Sequence, residues 1–260
     1  ARNLWAVVTD FRYTEQAEGQ APGFAVEMTE KGRTEGDILR ELTAAAKIDT
    51  LYFEDAYITV KQLEGLKAVL PKARFLSMHG ACETLRQIKD ADELARIERA
   101  CKLTSEAFEY VAGEIKEGLT ERDVALMLEF YMLKHGAQST SFSTIVATGA
   151  NGSLPHAQPG DRPIRRGELI TMDFGARVDG YCADMTRTVA FGTPSAEMKR
   201  VYDTVYRAQV DAQDALMAGK VCKEIDAVAR SYINAQGYEG RFGHGLGHSL
   251  GIDIHEEPRF

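Results

Sequence analysis

The sequence predicts a mixed α/β (α+β) chain: a small α/β domain at the N-terminus, then a larger domain built of two related αβ halves. Three observations carry this. Short β-forming runs alternate with amphipathic stretches up to about residue 78. Beyond about 83, long helical stretches flank a β-rich, turn-rich region at 141–192. Finally, Gly118, Val124, Tyr131 and Gly136 return as Gly219, Ile225, Tyr232 and Gly237, each pair 101 positions apart.

The elements follow in order. Residues 4–8 and 24–28 read as strands. In 36–47, Ile38, Leu39, Leu42 and Ala46 fall at helical spacing. Leu51, Tyr52 and Phe53 form a short strand. Residues 57–69 are amphipathic, with Leu63, Leu66 and Val69 on one side, and Pro71 stops that helix. Residues 74–78 form another strand. Strand–helix alternation of this kind implies at least partly parallel strands.

A long helical stretch is expected over about 83–116, capped by Asp90 or Asp92 with Glu93 in its first turn and ended by Gly118. A second helix, at about 120–134, carries a capping box of Thr120 and Asp123 and closes at Gly136. Helices return at about 195–217 and 222–235. The repeat suggests two halves with a cleft between them. The domains are accordingly 1–80 and 83–260.

Composition narrows the function classes. The formal net charge is -8 and no Lys/Arg-rich run is present, which argues against nucleic acid as a partner. No apolar run approaches the ~20 residues of a membrane helix. No signal peptide is visible, and an opening without Met is that of a processed or cut N-terminus. The four cysteines, Cys82, Cys101, Cys182 and Cys222, make no C-x-x-C pair. They read as reduced thiols of a cytoplasmic protein.

The chemistry concentrates in the second domain. Asp179-Gly180, between two β-forming runs, is a hairpin signal. With those two residues as the turn, Val178 pairs with Tyr181 and Asp173 faces Thr186. Asp184, two residues from Thr186, lies on the same face. Asp173 and Asp184 are then diagonal neighbours roughly 7–8 Å apart. Two such carboxylates repel unless a proton or a cation intervenes, so they can converge on divalent ions.

Histidines strengthen that reading. Three of the six, His244, His248 and His255, lie in the last 17 residues, within a glycine-rich segment. Imidazole is the commonest metal ligand. Read as a strand, 248–254 puts His248 on one face and His255 on the other, if no bulge intervenes. No P-loop motif exists, and Asp173-Phe174-Gly175 lacks the H-R-D partner of a kinase. His156 sits in a turn-rich loop, a common place for catalytic groups.

In order, N-G-S-L-P-H (151–156), M-D-F-G-A-R-V-D-G-Y-C-A-D-M-T-R-T (172–188) and H-G-L-G-H-S-L-G-I-D-I-H-E-E-P (244–258) resemble the pita-bread metallopeptidases. That group includes aminopeptidase P, proline dipeptidase and methionine aminopeptidase. The likeness covers about 83–260. Residues 1–80 resemble the creatinase/prolidase-like domain that precedes the catalytic domain in the proline-directed members.

The resemblance implies Asp173, Asp184 and His248 as metal ligands, His156 and His255 as catalytic histidines, and His244 as a substrate-pocket histidine. It implies two divalent ions, manganese first with cobalt or zinc as alternatives. The expected enzyme is an exopeptidase, a homodimer in the cytoplasm, that releases the residue before a proline in second position. An Xaa-Pro dipeptidase, a metal-free creatine amidinohydrolase relative and a catalytically impaired binding protein are the alternatives. The family also supplies two glutamate ligands from strands beyond this segment. The chain ends before either, so it reads as incomplete at its C-terminus, and Glu256 and Glu257 stand in the wrong place in the motif order to replace them.

Overall fold

A computed structural model of the chain describes residues 5–260. They form two compact units, one ending at Cys82 and the other spanning Glu83–Phe260. In the first unit, β1 (Ala6–Asp10) and β2 (Ala25–Thr29) pair in parallel around α1 (Thr14–Gln20). After α2 (Glu35–Ala46), β3 (Thr50–Phe53) and β4 (Arg74–Ser77) pair in parallel across α3 (Val60–Val69). Parallel pairing needs such crossovers, as the alternation implied. The strand expected at 4–8 runs from Ala6 to Asp10, and Leu4 lies outside the described residues. Helix α1 has no sequence signal: TEQAEGQ carries no apolar stripe and buries nothing.

The helical stretch expected over about 83–116 is not continuous. Instead of one stretch there are α4 (Ala81–Arg86) and α5 (Ala91–Glu114). Asp90 breaks them apart. Its extended backbone leaves the helix, its carboxylate accepts from the Glu93 amide at 2.9 Å, and Glu93 accepts from the Asp90 amide at 2.7 Å. Helix α5 also stops at Glu114, short of Gly118. That glycine, at φ 97°, instead turns the chain towards Thr120, which caps α6 (Glu121–Lys134).

Two antiparallel sheets follow. β7 (Glu168–Phe174) lies between β6 (Ile145–Thr148) and β10 (Met185–Phe191). β8 (Ala176–Val178) lies between β5 (Ser139–Thr140) and β9 (Tyr181–Cys182). One hairpin runs through both. Val178 faces Tyr181 and Asp173 faces Thr186, the register expected from a two-residue turn. Asp179 and Gly180 both have positive φ, 48° and 83°, as the primed hairpin turn requires. Between the sheets the hairpin bends at Gly175, where a Cβ would overlap the carbonyl oxygen of Ala183.

Helices α5 and α6 cover this layer, and Val111, Leu128, Met132, Ile170, Met172 and Phe174 form its core. A second core joins α7 (Ala196–Ala215) to α8 (Cys222–Ile233), where Ala208, Ala212 and Ala229 let the axes approach. The repeat at 101 positions is visible in the backbone. Gly118 and Gly219 have φ of 97° and 87°, and Gly136 and Gly237 have 111° and 87°. Val124 and Ile225 are both buried. The chain ends in a short antiparallel pair, β11 (His248–Ser249) and β12 (Glu256–Arg259). Among the described residues, no helix is long and apolar enough to cross a membrane.

Candidate metal centre

Asp173 stands near the end of the central strand β7, opposite Thr186 on β10 and Ile145 on β6. The Thr186 hydroxyl donates to its carboxylate at 2.9 Å. Asp184 follows β9, where the hairpin passes from one sheet to the other. The two carboxyl groups are close enough to act directly on each other. Burial raises the Asp173 carboxyl above its usual range, against the pull of Thr186. Burial and then the Asp173 charge push Asp184 up to about 6. This is the behaviour of like charges held in one poorly solvated place.

His248 opens β11. Its Nδ1 lies 3.0 Å from the Ser249 carbonyl oxygen and its Nε2 lies 3.4 Å from Asp184 Oδ2. A carbonyl can only accept, so the bond places a proton on Nδ1 and turns Nε2 towards Asp184. Metal-binding histidines are commonly oriented this way.

His255 is not on the opposite face. Its ring centroid is 4.4 Å from that of His248, at 61°. The expected strand ends at Ser249. Gly251 N then donates to Asp253 O, Cys182 N donates to Gly251 O, and the chain folds back until Glu256 faces Ser249. Burial, then the neighbouring His248, lowers the His255 imidazole below its ordinary value.

His156 is exposed on the loop after β6, near enough to Asp173 and His255 to act on them electrostatically. Four of the expected residues, Asp173, Asp184, His248 and His255, therefore come together, with His156 in their electrostatic neighbourhood. His244 is engaged elsewhere. It packs edge-on against Phe242 at 5.1 Å, bonds Gly245 O through Nδ1 at 2.7 Å, and lies near Asp226.

The donor set fits a divalent cation: two carboxylates that destabilise one another and an imidazole nitrogen turned towards them. Among the described residues, no three His, Cys, Asp or Glu side chains already form a metal cage. The three donors lean on one another instead. Glu256 is not among them. Its buried carboxylate is taken by Arg86 and by Lys89, the latter at 2.9 Å.

Residues 95–260 match metallopeptidase family M24, and residues 2–88 match the creatinase/prolidase N-terminal domain. The chain belongs to metallopeptidase family M24. It is 41% identical over 253 residues to an uncharacterized peptidase of Bacillus subtilis, covering 97% of this chain and 71% of that one. It is 37% identical over 202 residues to the Xaa-Pro dipeptidase of Pyrococcus furiosus, covering 78% and 58%. The crystal structure of the X-Pro aminopeptidase from Thermotoga maritima superimposes with a TM-score of 0.93 at 35% identity, covering all of this chain and 73% of that one. The mixed α/β pita-bread fold expected from the sequence is thus the fold of the M24 chain.

Sequence reasoning missed what supports these side chains. In the M24 chain, Asp226 and Arg230 of α8 grip the histidine loop. Asp226 accepts from Leu246 N at 2.9 Å, and Arg230 donates to the carbonyls of Phe242 and His244 at 2.6 and 2.8 Å. Glu121 grips the loop of His156 in a comparable way. The only sequence signal was an acidic residue at or near a helix start, which reads as ordinary dipole compensation.

Proposed function

We propose that this M24 chain carries the hydrolytic site of an Xaa-Pro dipeptidase, cutting the bond that precedes proline in a dipeptide. The convergence of Asp173, Asp184 and His248 supports this reading most directly. The Pyrococcus furiosus relative, named an Xaa-Pro dipeptidase, favours the dipeptide over the longer peptides first expected. The Thermotoga maritima X-Pro aminopeptidase keeps the longer substrate as the second reading.

Asp173, Asp184 and His248 would hold divalent ions, with manganese as our choice. When bound, such ions polarise the scissile carbonyl and lower the pKa of the attacking water. The chain's own groups do the rest. Thr186 fixes one oxygen of Asp173. The Ser249 carbonyl fixes the His248 ring. His255, with its lowered pKa, is neutral at pH 7, so it can accept or donate a proton beside the reacting carbonyl. His156 stands close enough to act electrostatically on Asp173 and His255.

The test is hydrolysis of Gly-Pro by this chain with added Mn2+. Asp173→Asn and His248→Ala should each abolish both turnover and Mn2+ binding by calorimetry, with circular dichroism unchanged. Wild-type turnover in either variant would sink the assignment. Faster cleavage of Gly-Pro-Ala than of Gly-Pro would select the aminopeptidase reading.

A further inference from the structure

Glu121 is 1% exposed and takes no part in the candidate centre. It stands at the first position of α6. Its Oε1 accepts from Thr148 N at 2.8 Å, from Thr148 Oγ1 at 3.2 Å and from Asn151 Nδ2 at 3.0 Å. Its Oε2 accepts from the same Asn151 nitrogen at 3.1 Å and from Gly160 N at 3.2 Å. Thr148 ends β6, Asn151 sits in the 3-10 turn that follows, and Gly160 lies beyond His156. One carboxylate therefore ties the start of the 149–160 loop to its end, with His156 between. Backbone bonds reinforce the tie: Glu121 N donates to Arg162 O at 3.1 Å and Arg122 N to Gly160 O at 3.0 Å.

A buried carboxylate is costly unless its lone pairs are filled. Here the side-chain and amide donors that fill them all come from this one loop and the strand end that feeds it. An apolar residue would serve packing at lower cost. We propose that Glu121, acting through Asn151, is a positioning residue for His156, setting where its imidazole stands relative to Asp173 and His255. The proposal rests on the hydrolytic reading only for the role given to His156.

The experiment uses the full chain, ring-labelled with 13C-histidine. The His156 resonance is identified by its disappearance in His156→Ala. Asn151→Ala should shift the His156 resonance and leave those of His135 and His244 in place. With Mn2+ and Gly-Pro, Asn151→Ala should lower kcat about 10–100-fold, the range for groups that orient a site residue. KM should stay within about twofold, and in a His156→Ala background the same substitution should cost less than about twofold. Glu121→Gln, which replaces one acceptor oxygen with a donor, should act in the same direction. If Glu121→Gln does not fold, Asn151→Ala alone decides. An unmoved His156 resonance overturns the proposal, as does an equal loss of kcat in both backgrounds. Absence of Gly-Pro turnover in the wild-type chain would count against the dipeptidase reading, and the resonance would then decide the positioning question by itself.

Discussion

His248 holds its Nε2 3.4 Å from Asp184 Oδ2, and Asp184 in turn lies within reach of Asp173. The relation has a pH signature. Asp184 is raised from 3.8 to about 6 by burial and by Asp173. For an acid raised on folding, the folded state keeps its proton over a range where the unfolded state has lost it. Stability then falls as pH rises from about 4 to about 6 and stays lowered above that. In the metal-free chain, Asp184→Asn should therefore be stabilising at pH 8, by roughly 2–3 kcal/mol, and nearly neutral at pH 3. Thermal melts in EDTA check this. Added Mn2+ should reverse the order at pH 8, because only the wild type gains a ligand-bound folded state. Equal melting points at pH 8 in EDTA would show that the carboxylates do not strain one another.

Gly175 marks the bend that lets the hairpin serve two sheets and brings Asp184 to Asp173. A Cβ there would overlap the Ala183 carbonyl oxygen, a backbone atom that cannot swing away. Gly175→Ala should cost about 3 kcal/mol or more, at the upper end for overpacking. The measurement is urea unfolding followed by circular dichroism. A midpoint unchanged from wild type would mean that the hairpin can relax at this bend.

The hairpin register was legible because Asp179-Gly180 admits one two-residue turn, after which every cross-strand pair is determined. Asp173 and Asp184 could be paired from that alone. The caps at Thr120 and Asp90 were legible for a similar reason, since the capping box is local in sequence. The meeting of His248 with His255 was not. It depends on the chain reversal at Gly251–Asp253 and on Cys182, 69 positions earlier, donating to the Gly251 carbonyl. Nor could the sequence show that Glu121 faces inward. A glutamate one residue after a capping threonine is usually solvated, and only the donors of a distant loop make its burial tolerable.

Arg230 carries two backbone carbonyls of the glycine-rich segment, those of Phe242 and His244, while bonding Asp226 in the preceding turn of its own helix. Arg230→Lys should not rescue Arg230→Ala, because an ammonium cannot span the two carbonyls and the carboxylate as the planar guanidinium does. Both variants should raise amide hydrogen exchange across 242–247 about tenfold or more, equivalent to loss of about 1.5 kcal/mol of local hydrogen bonding. Exchange unchanged in the lysine variant would show that charge alone holds the loop.

Glu256 is the buried carboxylate of the histidine segment. Burial by itself would raise it, but the bonds from Lys89 and Arg86 outweigh burial and hold it below its usual range. It also accepts from Asp253 N at 3.1 Å, and its carboxylate fills the space a Cβ would need at Gly251. The two cations thus fix the reversal that returns His255 to His248. A carboxyl lowered on folding contributes stability that is present above its unfolded pKa and lost as pH falls through the folded value. Glu256→Gln leaves Lys89, with only 11% of its side chain exposed, without its carboxylate. That should cost about 3 kcal/mol at pH 7, the lower end for breaking a buried ion pair, and progressively less below pH 4. Melting curves of both proteins from pH 3 to pH 8 test it. A gap that stays constant over that range would mean that Glu256 contributes through its shape and hydrogen bonds rather than its charge.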